Sequence, residues 1–232
     1  MSEVLEQIRK RQSDRVPFDE TRKIPEGELK KILEAGSWAP TAHNMQNFEV
    51  VVVDDPTIIR QIAAIRRPVS AQFVLENYKQ LSFSEQELKK KKVGLLGAMF
   101  PPFMLTPGAE IPKEGRPVLL STPTLLVVVY DPRRRAPASE GDFLGIISLG
   151  CVMENMWLEA KSLGIGFHIV SALGAPHIAQ EVKHILGVPP QLQIAFTCRV
   201  GYPAEGHGYY LRVRRDVEEF AYKNRYGSAW GA

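Results

Sequence analysis

The chain has 232 residues, 44% hydrophobic and 24% charged, enough apolar side chain to bury a full core, and a single domain over 1–232 is expected. Its 29 basic and 26 acidic residues leave a formal charge of +3, too small an excess for the continuous positive field that nucleic-acid binding needs. Two cysteines, Cys151 and Cys198, lie in apolar stretches outside any metal-ligand spacing, which suits a reducing compartment and small core residues.

The first residues are charged from Glu3 onward, with no apolar signal-peptide core, and no later apolar run is expected to reach a membrane span. A cytoplasmic protein with no membrane partner is the expectation. Val4, Leu5 and Ile8 predict a short amphipathic helix that carries Arg9, Lys10 and Arg11 towards a turn at Val16-Pro17. Leu29, Ile32, Leu33 and Ala35 form the stripe of a second helix after Pro25, stopped by Pro40. The segment WAPTAHNMQNF is then a loop.

Phe48 to Val53 reads as a buried strand closed by Asp54-Asp55-Pro56, followed by a helix from Thr57 to Ala64. Between Arg66 and Arg116 the pattern loosens, although Ser84 and Glu87 make a capping box ahead of a lysine-rich helix. Thr124 to Tyr130 is a strongly β-prone run expected at the centre of the sheet, and Arg133 to Gly141 an exposed loop. A long helix from about Phe143 to Leu163 is apolar on most sides, as for a helix between a sheet and a second subunit, with Gly164 as its stop. Then come a strand over Ile165 to Val170, a helix from Pro176 to Leu186 ended by Gly187, and a strand through Ile194, Phe196, Cys198 and Val200. The residues from 216 to 232 form an aromatic, charged tail suited to wrapping a partner.

Two arginine groups lie at element ends. Arg11 and Arg15 are four apart, one helical turn, while Arg212 and Arg214 alternate and share one face of an extended segment. Guanidinium forks suit a phosphate dianion better than lysine does, so the four could converge on one phosphate. The same spacing also fits solvated or loosely salt-bridged surface arginines. The GIGF segment at Gly164 to Phe167 lacks the third glycine and the acidic residue of a dinucleotide fingerprint, which disfavours a Rossmann dehydrogenase. His177 and His184 lie two helical turns apart without a third ligand, so no metal is expected, and the lysine run at 89–92 reads as a solvated helix face.

Taken together, RKRQSDR at 9–15, WAPTAHNMQNFEVVVV at 38–53, ENMWLEAKSLGIGFHIV at 154–170, VGYPAE at 200–205 and LRVRRDVEEF at 211–220 resemble the nitroreductase family, in family order and over nearly the whole chain. The resemblance implies an α+β sandwich with a mostly antiparallel central sheet flanked by helices. It also implies a homodimer that binds two FMN molecules, each touched by both subunits. By position, Arg11, Gln12, Ser13 and Arg15 match the first flavin-binding segment, with Arg15 towards the ring. Pro40, Thr41, Ala42 and Asn44 match the loop that reaches the partner's flavin, and Arg212 and Arg214 match the basic pair on the phosphate. Ser171 and Ala172 fall at a backbone turn beside the flavin. Asn47 and Phe48 depart from the proline and tryptophan usual in the interface loop, and Phe100, Phe103 and Met104 in the variable 66–116 segment would form an acceptor lid.

The implied activity is electron transfer from NADH or NADPH through FMN to a small acceptor such as a nitroaromatic or quinone, with ping-pong kinetics. No protein nucleophile is required, and Arg15 would favour the reduced, anionic ring electrostatically. Three alternatives stay open on sequence alone. They are other flavin chemistry on the same fold (dehalogenation, flavin fragmentation or oxidation of peptide-derived rings), a flavin-binding module without turnover, and an anion-binding or nucleic-acid-binding protein.

Overall fold

The computed structural model describes residues 2–65, 121–139, 141–205, 214 and 216–231. The chain divides into two compact units, Met1–Arg67 with Pro112–His207, and Pro68–Ile111 with Gly208–Ala232. The Ser84 and Glu87 box, the 89–92 lysines, Phe100, Phe103, Met104 and Arg212 lie outside the described residues.

In the first unit, α1 (Glu3–Lys10) is capped by Ser2, whose Oγ accepts from the Leu5 amide at 3.3 Å, with acids in its first turn and bases in its last. Next come α2 (Glu26–Ser37), β1 (Glu49–Val53) and α3 (Pro56–Ala64), the last opened by Pro56 and by Asp55 accepting from the Thr57 amide. After β2 (Thr124–Tyr130), the long α4 (Phe143–Ser162) leads into β3 (Gly166–Ile169). The helix α5 (Pro176–Leu186) ends at Gly187 in the left-handed region, and β4 (Gln193–Gly201) completes the sheet.

The four described strands run in the order β1-β2-β4-β3, and every neighbouring pair is antiparallel. Alternation along the strands makes two cores. Leu126, Cys198, Val200 and Phe167 pack with Ile32 of α2 and with Val152, Met156, Trp157 and Ala160 of α4. Leu125, Val127, Val129 and Val53 pack with Ile59 and Ile62 of α3 and Ile178 and Val182 of α5. This helix–sheet–helix sandwich is the α+β architecture that the resemblance implied. The run at 48–53, expected to be buried, forms the outermost of the described strands, and in it only Val53 is fully buried, because among the described residues it has a strand neighbour on one side only.

The helix α4 departs from expectation in one respect: over its 20 residues it is long and apolar enough to cross a membrane by length and composition. Its second half is core nonetheless. Val152, Met156 and Ala160 are fully buried, and a Cβ added at Gly36 of α2 would stand 2.9 Å from Met156 Cγ, so the two helices are packed at glycine distance. The first half keeps Phe143, Leu144, Ile146 and Ile147 exposed. In the second unit the described residues form a capped turn at Val217–Glu219, a Tyr222–Tyr226 ring pair 4.6 Å apart and a bridge from Tyr222 to Ala229.

Candidate cofactor site

The segment after α1 does not continue as helix. Arg11 turns to φ −62°, ψ 135°, and burial then alternates: Gln12, Asp14, Val16 and Phe18 are buried, while Arg11, Ser13 and Arg15 are partly exposed. Arg11 and Arg15 therefore share a face through the two-residue period of extended chain and not through a helical turn, and Ser13 stands between them.

Asp14 fastens this segment to β3. Its amide donates to Phe167 O at 3.0 Å, its Oδ2 accepts from the Phe167 amide at 3.1 Å, and its Oδ1 accepts from Gln12 Nε2 at 2.9 Å. From the other side α4 supplies Trp157, whose Nε1 donates to Gln12 O at 3.0 Å, and Glu154, whose Oε1 lies 3.0 Å from Arg11 Nε. The Arg11 guanidinium stands 4.6 Å from the centre of the Trp157 ring.

Beneath Arg15 lies Arg199 of β4, with no exposed surface. Its Nη2 donates to Asp14 O at 2.7 Å and also to Val16 O, its Nε donates to His168 Nδ1 at 2.9 Å, and its guanidinium stands 4.1 Å from the centre of the Phe18 ring. Burial, then the charges of Arg199 and Arg15, hold the His168 pKa down to about 3, so the imidazole is neutral with its proton on Nε2. Asp14, Trp157, His168 and Arg199 escaped the sequence reading. An arginine inside an otherwise apolar strand was the signal for Arg199, because a buried cation requires partners.

The loop at 40–47 is held against the same α4. Ser148 Oγ accepts from the Ala42 amide at 3.0 Å, and Thr41 Oγ1 accepts from the Gln46 amide at 3.2 Å. Six residues separate Ser148 from Glu154, so the loop meets α4 about 9 Å along the helix from Arg11. Pro40 and Asn44 are exposed, and His43, Asn44 and Gln46 all have φ between 45° and 52°, a strained backbone concentrated within four residues. Ser171 and Ala172 form an exposed turn just after β3. Arg214 is exposed and belongs to the second unit. Burial pushes the Cys198 thiol well up, which suits a core residue.

Residues 8–202 match the nitroreductase family model. The chain belongs to the nitroreductase family. Among curated relatives of this nitroreductase-family protein, an NADH dehydrogenase from Thermus thermophilus is 30% identical over 186 residues, covering 80% of each chain. An NADPH-dependent oxidoreductase from Staphylococcus haemolyticus is 24% identical over 86% of this chain, and the match spans only 65% of that protein's length. A solved nitroreductase with bound FMN from Bacteroides fragilis shares the fold with a TM-score of 0.58 at 22% identity, over 93% of this chain and 96% of that one.

Proposed function

We propose that this family member binds FMN along Arg11, Ser13 and Arg15, oxidises NADH or NADPH, and reduces a small acceptor such as a nitroaromatic or quinone. The observation that carries the reading is the outward row of Arg11, Ser13 and Arg15, two cations and a hydroxyl on one face of a segment clamped between α4 and β3. The names of the relatives supply the nicotinamide donors, and the FMN-bound neighbour supplies the cofactor.

The residues present fit that group. Gln12 Oε1 is buried with no hydrogen-bond partner among the described residues, an acceptor left over on the segment meant to hold the cofactor. Arg11 and Ser13 would bind the polar end of FMN, joined by Arg214 and Arg212, and Arg15 would face the ring. FMN, when bound, supplies the two-electron chemistry, and the chain binds it, orients it and places positive charge beside it. Donor and acceptor would use the same face in turn, which gives ping-pong kinetics.

The fold also proposes its own partner. Phe143, Ile146 and Ile147 of α4, Val4 and Ile8 of α1, and Trp38 at the end of α2 leave large apolar side chains in water, and a second copy of the chain would cover them. In that homodimer the Pro40, Thr41, Ala42 and Asn44 loop would reach the partner's FMN with Ser171 and Ala172 nearby, the 66–116 segment would cover the acceptor, and the 216–232 tail would wrap the partner. One cytoplasmic nitroreductase-type domain over 1–232 would then act only as a dimer.

The test is the visible spectrum of the purified protein, with the released chromophore identified and anaerobic titration by NADH and NADPH. A flavin spectrum that bleaches with either donor supports the reading and names the donor. Parallel double-reciprocal plots with a quinone acceptor support the ping-pong order, and intersecting plots overturn it. Bound FMN that no nicotinamide reduces points to the other flavin chemistries or to a binding module. A colourless protein that takes up no FMN overturns the cofactor and the arginine assignments together.

A further inference from the structure

We infer that His168 and Arg199 form a buried positioning pair that fixes Arg15 and thereby sets the affinity and reduction potential of the bound cofactor. The inference rests on the FMN reading above. Arg199 Nη2 reaches both main-chain oxygens that flank Arg15, Asp14 O and Val16 O, so one planar group pins the backbone on either side of that residue. His168 faces Arg199 across the antiparallel β3–β4 pair, and its Nδ1 accepts the hydrogen bond donated by Arg199 Nε, which fixes the orientation of the guanidinium plane. Phe18 stacks on Arg199 and excludes water from that side.

The chemistry of the pair matters as much as its geometry. Carbonyls could be held by a neutral donor at smaller desolvation cost, whereas Arg199 brings a fixed positive charge under the row of Arg11, Ser13 and Arg15. The Asp14 carboxylate is engaged by the Phe167 amide and by Gln12. His168 stays neutral between two arginines, accepts at Nδ1 and adds no further charge. The pair thus orients Arg15, whose charge beside the ring favours a reduced, negatively charged ligand.

The test uses full-length protein loaded with FMN, in the wild type and in His168→Phe, His168→Asn, Arg15→Ala and the His168→Phe/Arg15→Ala double variant. The readouts are the FMN dissociation constant from flavin fluorescence, the midpoint potential and the melting temperature. His168→Phe should weaken FMN about tenfold and lower the potential, His168→Asn should recover most of both through its Oδ1 acceptor, and the effect should vanish in the Arg15→Ala background. The inference is overturned by a fall in melting temperature with affinity and potential within about twofold of wild type. It is equally overturned by the same shift with or without Arg15, or by no recovery in His168→Asn. If His168→Phe does not fold, Arg199→Lys carries the same outcomes, since an ammonium keeps the charge but cannot hold two carbonyls and an imidazole in one plane. Wild-type protein that binds no FMN would refute the underlying reading instead, and is recognised before any variant is compared.

Discussion

The indole of Trp157 donates from Nε1 to the main-chain oxygen of Gln12 at 3.0 Å, and so ties the segment bearing Arg11 and Arg15 to the last third of α4. The same ring stacks on Phe167 at 5.4 Å and backs the Arg11 guanidinium, so one side chain joins α4, β3 and the 11–15 segment. Trp157→Phe keeps most of the apolar contact and removes the donor, leaving a buried carbonyl unsatisfied. The expected cost is about 1–3 kcal/mol in urea unfolding, with weaker FMN binding. Full stability together with unchanged FMN affinity would show that the indole N–H holds nothing in place.

A second prediction concerns Asn47, which stands where the family resemblance leads one to expect proline. Its Nδ2 donates to Asp131 O at 2.8 Å and Arg134 O at 3.0 Å, and its Oδ1 accepts from the Asp131 amide at 3.2 Å, so the side chain imitates a strand partner for the loop after β2. Asn47→Asp would set an oxygen against two carbonyls. It should therefore destabilise more than Asn47→Ala, which should cost about 1 kcal/mol. Thermal melts of the two variants decide this: an Asp variant at least as stable as the Ala variant contradicts the clamp.

Much of this was legible in the sequence because it is local. The bounds of α1, α2, α3, β2, α4, α5 and β4 follow from apolar period, caps and the stops at Gly164 and Gly187. The antiparallel sheet was not legible in the alternation of elements, and only the resemblance supplied it. The path of residues 11–15 was misread as a helical turn because what pulls it straight is Asp14 bonding to Phe167, 153 positions away. No local signal sets His168 apart from the other histidines, since its role depends on a cross-strand neighbour that no single segment contains.

Gly201 makes a third prediction. It faces Gly166 across β3 and β4, and Phe18 lies over both: a Cβ at Gly201 would stand 2.9 Å from Phe18 Cβ and 2.8 Å from Pro123 Cδ. The glycine of VGYPAE is thus required by Phe18 and Pro123 packed against it rather than by backbone conformation. Gly201→Ala should destabilise by about 1–3 kcal/mol, and because Phe18 also supports Arg199 it should loosen FMN as well. In Phe18→Ala protein, which removes the ring Cδ2 that stands 2.9 Å from the same position, the glycine substitution should cost less. An equal cost in both backgrounds would remove the ring from the explanation.

The last prediction follows from the neutrality of His168. Burial first, and then the charges of Arg199 and Arg15, take the imidazole's pKa from 6.5 to about 3. Between those values the unfolded chain binds a proton that the folded chain refuses, so stability is fully present above about pH 6.5 and falls as the pH drops. From pH 7 to pH 5 this one group should remove about 2 kcal/mol. His168→Asn has no proton to bind, so its unfolding free energy should fall less over that interval, by about the same amount. Urea unfolding of both proteins at pH 7 and pH 5 measures the difference directly, and parallel losses would mean that His168 is protonated in the folded protein.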